Sequence, residues 1–201
     1  LAGLSISDLA HALGVAAPGT SRRAKGYAGQ LLEVALGAEA GSRPSPDFET
    51  LGIELKTIPV SPRGVPHEST HVCVAPMRVP PGSRWENSLV RHKLSRVLWI
   101  PIVWERGTPT GERRVGTGFL WSPSREQERL LKADWEEHID AIALGYLEEL
   151  DARRGNVLQL RPKAANRRVL RQTTDPEGRS RPSHPRGFYL RPAFTRSLLQ
   201  T

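Results

Sequence analysis

The run Val97-Leu-Trp-Ile-Pro-Ile-Val-Trp104 constrains this chain most, because no polar side chain interrupts it. It is far below the roughly 20 residues of a membrane-crossing helix. Its β-branched and aromatic content suits a strand buried on both faces. Pro101 within it points to an edge or a bulge. Such a strand needs covering layers, and helical patterns lie on either side of it, so the expected fold is a mixed α/β or α+β sheet flanked by helices.

A second stretch, Pro46 to Val60, reads P-D-F-E-T-L-G-I-E-L-K-T-I-P-V. From Gly52 the pattern alternates: Ile53, Leu55 and Thr57 point one way, Glu54 and Lys56 the other. Asp47 can fold back beside them across the Leu51-Gly52 turn. Two carboxylates can hold a hard divalent cation through oxygen, and a lysine can steer a water or neutralise a phosphate. The same D-x6-E-x-K spacing also suits a surface strand with an ordinary Glu/Lys pair, since short patterns recur by chance.

Composition narrows the classes. With 38% hydrophobic and 25% charged residues the chain is globular rather than disordered. Cys73 is the single cysteine, which excludes an internal disulfide framework and suits a reducing cytosol. His67-Glu-Ser-Thr-His71 matches H-E-x-x-H, yet zinc hydrolysis by that motif needs a helix, and Pro62, Gly64 and Pro66 argue against one. The net charge of +8 is uneven: residues 153–201 hold 12 Arg/Lys against 2 Asp/Glu. All but one of those basic residues are arginine, whose fork suits phosphate and guanine edges, so nucleic acid is the leading partner. A solvated basic tail is the plainer alternative.

Along the chain, Ser5 and Asp8 form a capping box for a short helix ending near Gly14. Residues 25–36 have helical spacing, with Tyr27, Leu31, Val34 and Ala35 on one face, Glu33 among them and Gly37 as the stop. Strands are expected over 70–75, 114–121, 157–160 and 188–190, and short helices over 87–94 and 193–199. Ser124 and Gln127 cap the longest helix, whose Leu131, Trp135, Ile139 and Ile142 face inward and whose glutamates face solvent. Residues 164–172 are compatible with a basic helix, and 173–187 form a long Pro/Gly/Arg-rich loop suited to contacting nucleic acid. One domain with two lobes is expected, a catalytic lobe over about 1–105 and a recognition lobe over about 106–201, with DNA between them.

Five blocks in collinear order carry a family resemblance: L-L-E-V-A-L-G-A-E-A-G-S-R-P (31–44), D-F-E-T-L-G-I-E-L-K-T-I-P-V (47–60), V-R-H-K-L-S-R-V-L-W-I-P (90–101), L-Q-L-R-P-K-A-A-N (158–166) and P-R-G-F-Y-L (185–190). Together they resemble the MutH family of DNA mismatch-repair endonucleases. The resemblance implies a restriction-endonuclease-like fold and a Mg²⁺-dependent nick in the unmethylated strand at GATC in double-stranded DNA. It matches Asp47, Glu54 and Glu33 to the acidic metal-binding residues, and Lys56 and Lys93 to the active-site lysines. Lys25 matches a DNA-contacting lysine, Arg161 and Lys163 match the recognition surface, and Tyr189 matches the residue that senses adenine methylation. It further implies a cytoplasmic monomer activated by MutL and, indirectly, MutS. Lys25-Gly26-Tyr27 replaces the family's Lys-Gly-Trp, and relative to the family the chain is short at its N-terminus and ends early at Thr201. A GATC-type restriction enzyme and a catalytically inactive DNA-binding module are the rival expectations. Relatives of the first kind tend to be longer, and intact Asp47, Glu54 and Lys56 argue against the second.

Overall fold

Ser5 and Asp8 close a capping box: the Ser5 hydroxyl accepts from Asp8 N at 3.1 Å, and Asp8 Oδ2 accepts from Ser5 N at 3.1 Å. This starts α1, Ile6–Ala12. The computed structural model describes residues 1–16, 26–38, 41, 44–163 and 169–200. Helix α2, Tyr27–Leu36, stops where Gly37 takes φ 72°, a conformation open to glycine at little cost. Its core stripe is Tyr27, Ala28, Leu31, Leu32 and Ala35. Val34, expected on that face, lies at its rim and is 60% exposed.

The chain divides into two compact units, each discontinuous in sequence: Leu1–Glu68, Lys93–Ser122 and Thr195–Thr201 form one, Ser69–His92 and Pro123–Phe194 the other. In the first unit β1, Glu54–Val60, and β3, Val97–Val103, run parallel from Glu54↔Val97 to Val60↔Val103. On the other side of β3 lie two short antiparallel strands, β4, Arg114–Val115, and β5, Phe119–Trp121. The single strand expected over 114–121 is therefore broken.

That break explains Pro101, which sits in the central strand rather than at an edge. A strand residue directs its N–H and C=O to the same side, and the Pro101 carbonyl accepts from Gly116 N at 2.7 Å. Its missing N–H therefore faces the gap between β4 and β5, where no ladder bond is lost. Gly116 fits this gap because a Cβ there would meet Pro101 Cβ at 3.0 Å. Leu55, Ile100 and Ile102 pack under Ile6, Leu9 and Leu31. Val97 and Trp99 on the opposite face are equally inaccessible, so the apolar run is covered on both sides.

In the second unit β2, Thr70–Val74, β9, Arg186–Leu190, and β6, Leu158–Pro162, form an antiparallel sheet in the order β2-β9-β6. Helix α3, Leu89–Leu94, returns the chain to the first unit at Lys93. Helix α4, Arg125–Ala143, begins at the Ser124–Gln127 capping box. The loop expected over 173–187 is instead mostly a hairpin of β7, Arg171–Thr174, and β8, Ser180–Ser183. Asp175 organises its turn by accepting from Arg179 N at 2.8 Å. Residues 164–168 of the expected basic helix lie outside the described residues, and Arg171 and Gln172 are strand. Helix α5 spans Pro192–Leu198. Among the described residues no helix is long and apolar enough to cross a membrane. The architecture is mixed α/β, as expected.

Candidate active site

The Leu51-Gly52 turn does fold Asp47 back. A 3-10 turn at Glu49–Leu51 ends on Gly52 at φ 62°, and Phe48 and Ile53 exchange backbone bonds of 2.9 and 3.2 Å across it. Asp47 Oδ2 then accepts from Leu55 N at 2.8 Å, which locks the carboxylate against the start of β1. Leu55 points into the helix-covered core, so Glu54 and Lys56 emerge on the opposite face.

That face is not solvent. Asp47, Glu54, Lys56 and Lys93 are 6, 5, 8 and 8% exposed, which excludes an ordinary surface ion pair. Each Glu54 oxygen is engaged by a different lysine: Lys56 Nζ lies 3.1 Å from Oε1 and Lys93 Nζ 2.7 Å from Oε2. Lys93 Nζ also donates to Ser45 O at 2.7 Å. Backbone pairing brings these distant residues together. Glu54 N donates to Arg96 O at 3.0 Å and β1 runs in register with β3, so the last turn of α3 delivers Lys93 to the head of β1.

Glu33 approaches from α2. Burial, followed by the charges of Asp47 and Glu54, pushes its carboxyl above the ordinary 4.5, and Lys93 and Lys56 offset this only in part. Three mutually repelling carboxylates with oxygen-only donors fit a hard divalent cation rather than zinc. The described residues do not already gather three His, Cys, Asp or Glu into a ready cage, and both Glu54 oxygens are taken up by lysines. The H-E-x-x-H pattern forms no helix. His67 lies in a loop, bonded through Nε2 to Trp104 O at 3.0 Å, and His71 is a strand residue of β2.

Arg161, Lys163 and Tyr189 lie in the second unit. The packed face of its sheet carries Leu158, Leu160, Phe188 and Leu190. The opposite face, by alternation, carries Gln159, Arg161, His71 and Tyr189. Arg161 Cζ stands 5.8 Å from the Tyr189 ring centroid, and His71 meets the same ring edge-on at 5.0 Å. Gly187 makes room for this stack, because a Cβ there would meet Tyr189 Cε2 at 3.2 Å and His71 Cδ2 at 3.3 Å. Lys163 follows β6, its N–H donating to Pro185 O at 2.8 Å. Lys25 lies outside the described residues.

Four residues escaped sequence reasoning. Ser69 accepts from Gln159 Nε2 at 2.6 Å and from Arg161 Nη1 at 3.0 Å. The alternation of β6 could have placed Gln159 beside Arg161; nothing in the sequence pointed to Ser69. Asp134 and His138 are buried on α4 at 1 and 0% exposure. Asp134 Oδ2 accepts from Val157 N at 2.7 Å and Leu158 N at 2.8 Å, anchoring the entry to β6. The Leu158 carbonyl can only accept, so His138 donates to it from Nε2 at 3.2 Å and its buried Nδ1 has no partner. Desolvation accordingly lowers the His138 pKa from 6.5.

Comparison with known proteins agrees with the five blocks. The family model described as DNA mismatch repair enzyme MutH matches residues 36–134. The chain is 53% identical to the DNA mismatch repair protein MutH of Shewanella sp. (strain ANA-3), over 99% of this chain and 89% of the relative. It is 51% identical to the protein of that name from Shewanella baltica (strain OS155), with the same coverage.

Proposed function

This chain belongs to the MutH family of DNA mismatch repair enzymes, and on that footing we propose that it is a Mg²⁺-dependent endonuclease that nicks the unmethylated strand at hemimethylated GATC sites. The observation that carries this reading is the buried Asp47–Glu54–Lys56–Lys93 cluster, two carboxylates and two ammonium groups around the head of one strand. So many ionisable groups are seldom buried together for stability alone, since their desolvation costs several kcal/mol per ion.

Asp47 and Glu54, joined by Glu33, would hold the metal ion. Bound there, Mg²⁺ would lower the pKa of a water and offset charge on the scissile phosphate. Lys56 orients the attacking water and offsets the negative charge that grows on it as its proton leaves to solvent. Lys93 holds Glu54 in place and offers a positive charge to the phosphate as negative charge builds in the transition state. Both lysines already sit in a water-poor setting, where their charges act strongly and need little reorganisation.

Recognition falls to the second unit. Arg161 suits guanine, and Lys163 suits a backbone phosphate. Tyr189 presents an apolar ring edge to the adenine N6 position, where methylation replaces one donor hydrogen by a methyl group. Lys25 is a further phosphate contact on the strength of the family pattern. The protein acts as a cytoplasmic monomer activated by MutL. The test is incubation with hemimethylated GATC plasmid and Mg²⁺, with and without MutL. MutL-stimulated nicking confined to the unmethylated strand supports the proposal, double-strand cutting makes the protein a restriction enzyme, and binding without cleavage leaves a DNA-binding module.

A further inference from the structure

A serine oxygen has two lone pairs and one proton. At Ser69 both lone pairs are used, one by Gln159 Nε2 at 2.6 Å and the other by Arg161 Nη1 at 3.0 Å. Gln159 is 4% exposed, so its side chain is fixed by packing, whereas Ser69 is half-buried and Arg161 is open to solvent. With both lone pairs engaged, the Ser69 hydroxyl is left as a donor, and it donates no hydrogen bond among the described residues.

We propose that Ser69 is a specificity-determining residue that donates its hydroxyl proton to the N7 of the target adenine. The inference rests on the GATC reading above and assigns a second contact to the adenine that Tyr189 inspects. In the major groove adenine offers an N7 acceptor beside its N6 donor, while cytosine offers only a donor. A hydroxyl that cannot accept thus favours adenine and rejects cytosine at the same place. The neighbouring Arg161 retains fork N–H groups for guanine, and in GATC adenine follows guanine directly. Ser69 precedes β2 by one residue and shares a sheet face with His71, whose register partner is Tyr189.

The test compares wild type, Ser69→Ala and Ser69→Thr on hemimethylated GATC duplexes with adenine or 7-deazaadenine in the unmethylated strand. One hydrogen bond predicts that 7-deazaadenine slows wild type and Ser69→Thr about tenfold. Ser69→Ala should be slower on adenine and lose nothing more on 7-deazaadenine. A further tenfold loss in Ser69→Ala, equal to that of wild type, overturns the inference and leaves Ser69 only as a brace for Arg161. The wild-type rate on unmodified DNA reports separately on the endonuclease reading. If no nicking occurs, the same comparison is made on duplex affinity, where additive losses overturn the Ser69 contact and absence of binding overturns both readings.

Discussion

Lys93 Nζ lies 2.7 Å from Glu54 Oε2, joining the last turn of α3 to the first residue of β1 across a buried site. Lys56 holds the other oxygen, so removing Lys93 leaves Glu54 one ammonium partner instead of two. Lys93→Ala is expected to lower single-turnover nicking by about 100-fold, the scale of losing one transition-state donor. Circular dichroism should show the fold retained, because Lys56 still pairs with Glu54. A variant that nicks at the wild-type rate removes Lys93 from the machinery.

Glu33 makes the site sensitive to acid. Its folded-state carboxyl is raised above 4.5 by burial and then by Asp47 and Glu54, so below 4.5 it contributes nothing to stability. As pH rises past 4.5 the unfolded chain ionises first, and the folded state loses stability. In metal-free buffer Glu33→Gln should therefore melt higher than wild type at pH 7 and equally at pH 4. The same substitution should weaken Mg²⁺ binding about tenfold and flatten its decline toward acid pH. Thermal melts and metal titrations across pH 4–8 check both signs.

His138 works in the opposite direction in the second unit. Above 6.5 neither state holds the extra proton; below it the unfolded chain binds one and the buried ring does not, so stability falls with pH. His138→Gln, which keeps a neutral donor for Leu158 O, should lose less melting temperature between pH 8 and 5.5 than wild type. Equal losses would show that another group drives the acid sensitivity.

Asp134 ties α4 to the start of β6, the strand that carries Arg161. Asp134→Ala leaves the N–H groups of Asn156, Val157 and Leu158 without their carboxylate and should cost about 3 kcal/mol or more in denaturant unfolding. DNA affinity should drop in the same variant, while Mg²⁺ affinity should not, because Glu33, Asp47 and Glu54 lie in the other unit. A loss of both would show that the damage is global.

Local chemistry was legible where it was self-contained. The Ser5 and Ser124 capping boxes, the glycine stop of α2 and the fold-back of Asp47 over Gly52 all follow from spacing within a few residues. The β7–β8 hairpin was not, because Pro176, Gly178 and Pro182 mimic an irregular loop when strand pairing is unseen. The Lys93–Glu54 contact spans 39 residues and depends on the parallel register of β1 and β3. Spacing alone fixes no such register; a match to known family blocks was needed to name Lys93. Asp134 and His138 were hidden among the polar residues of an amphipathic helix, where only burial tells a structural carboxylate from a solvated one.

The central claim is that Asp47 serves cleavage rather than folding. Asp47→Asn can still accept from Leu55 N and so preserve the turn, but it loses the negative charge. The decisive measurement is nicking of hemimethylated GATC DNA by this variant in Mg²⁺, alongside its affinity for the same duplex. Loss of nicking by a factor of about 1000 or more with affinity within about threefold of wild type is the predicted result. Nicking at a near wild-type rate would contradict the assignment of the site.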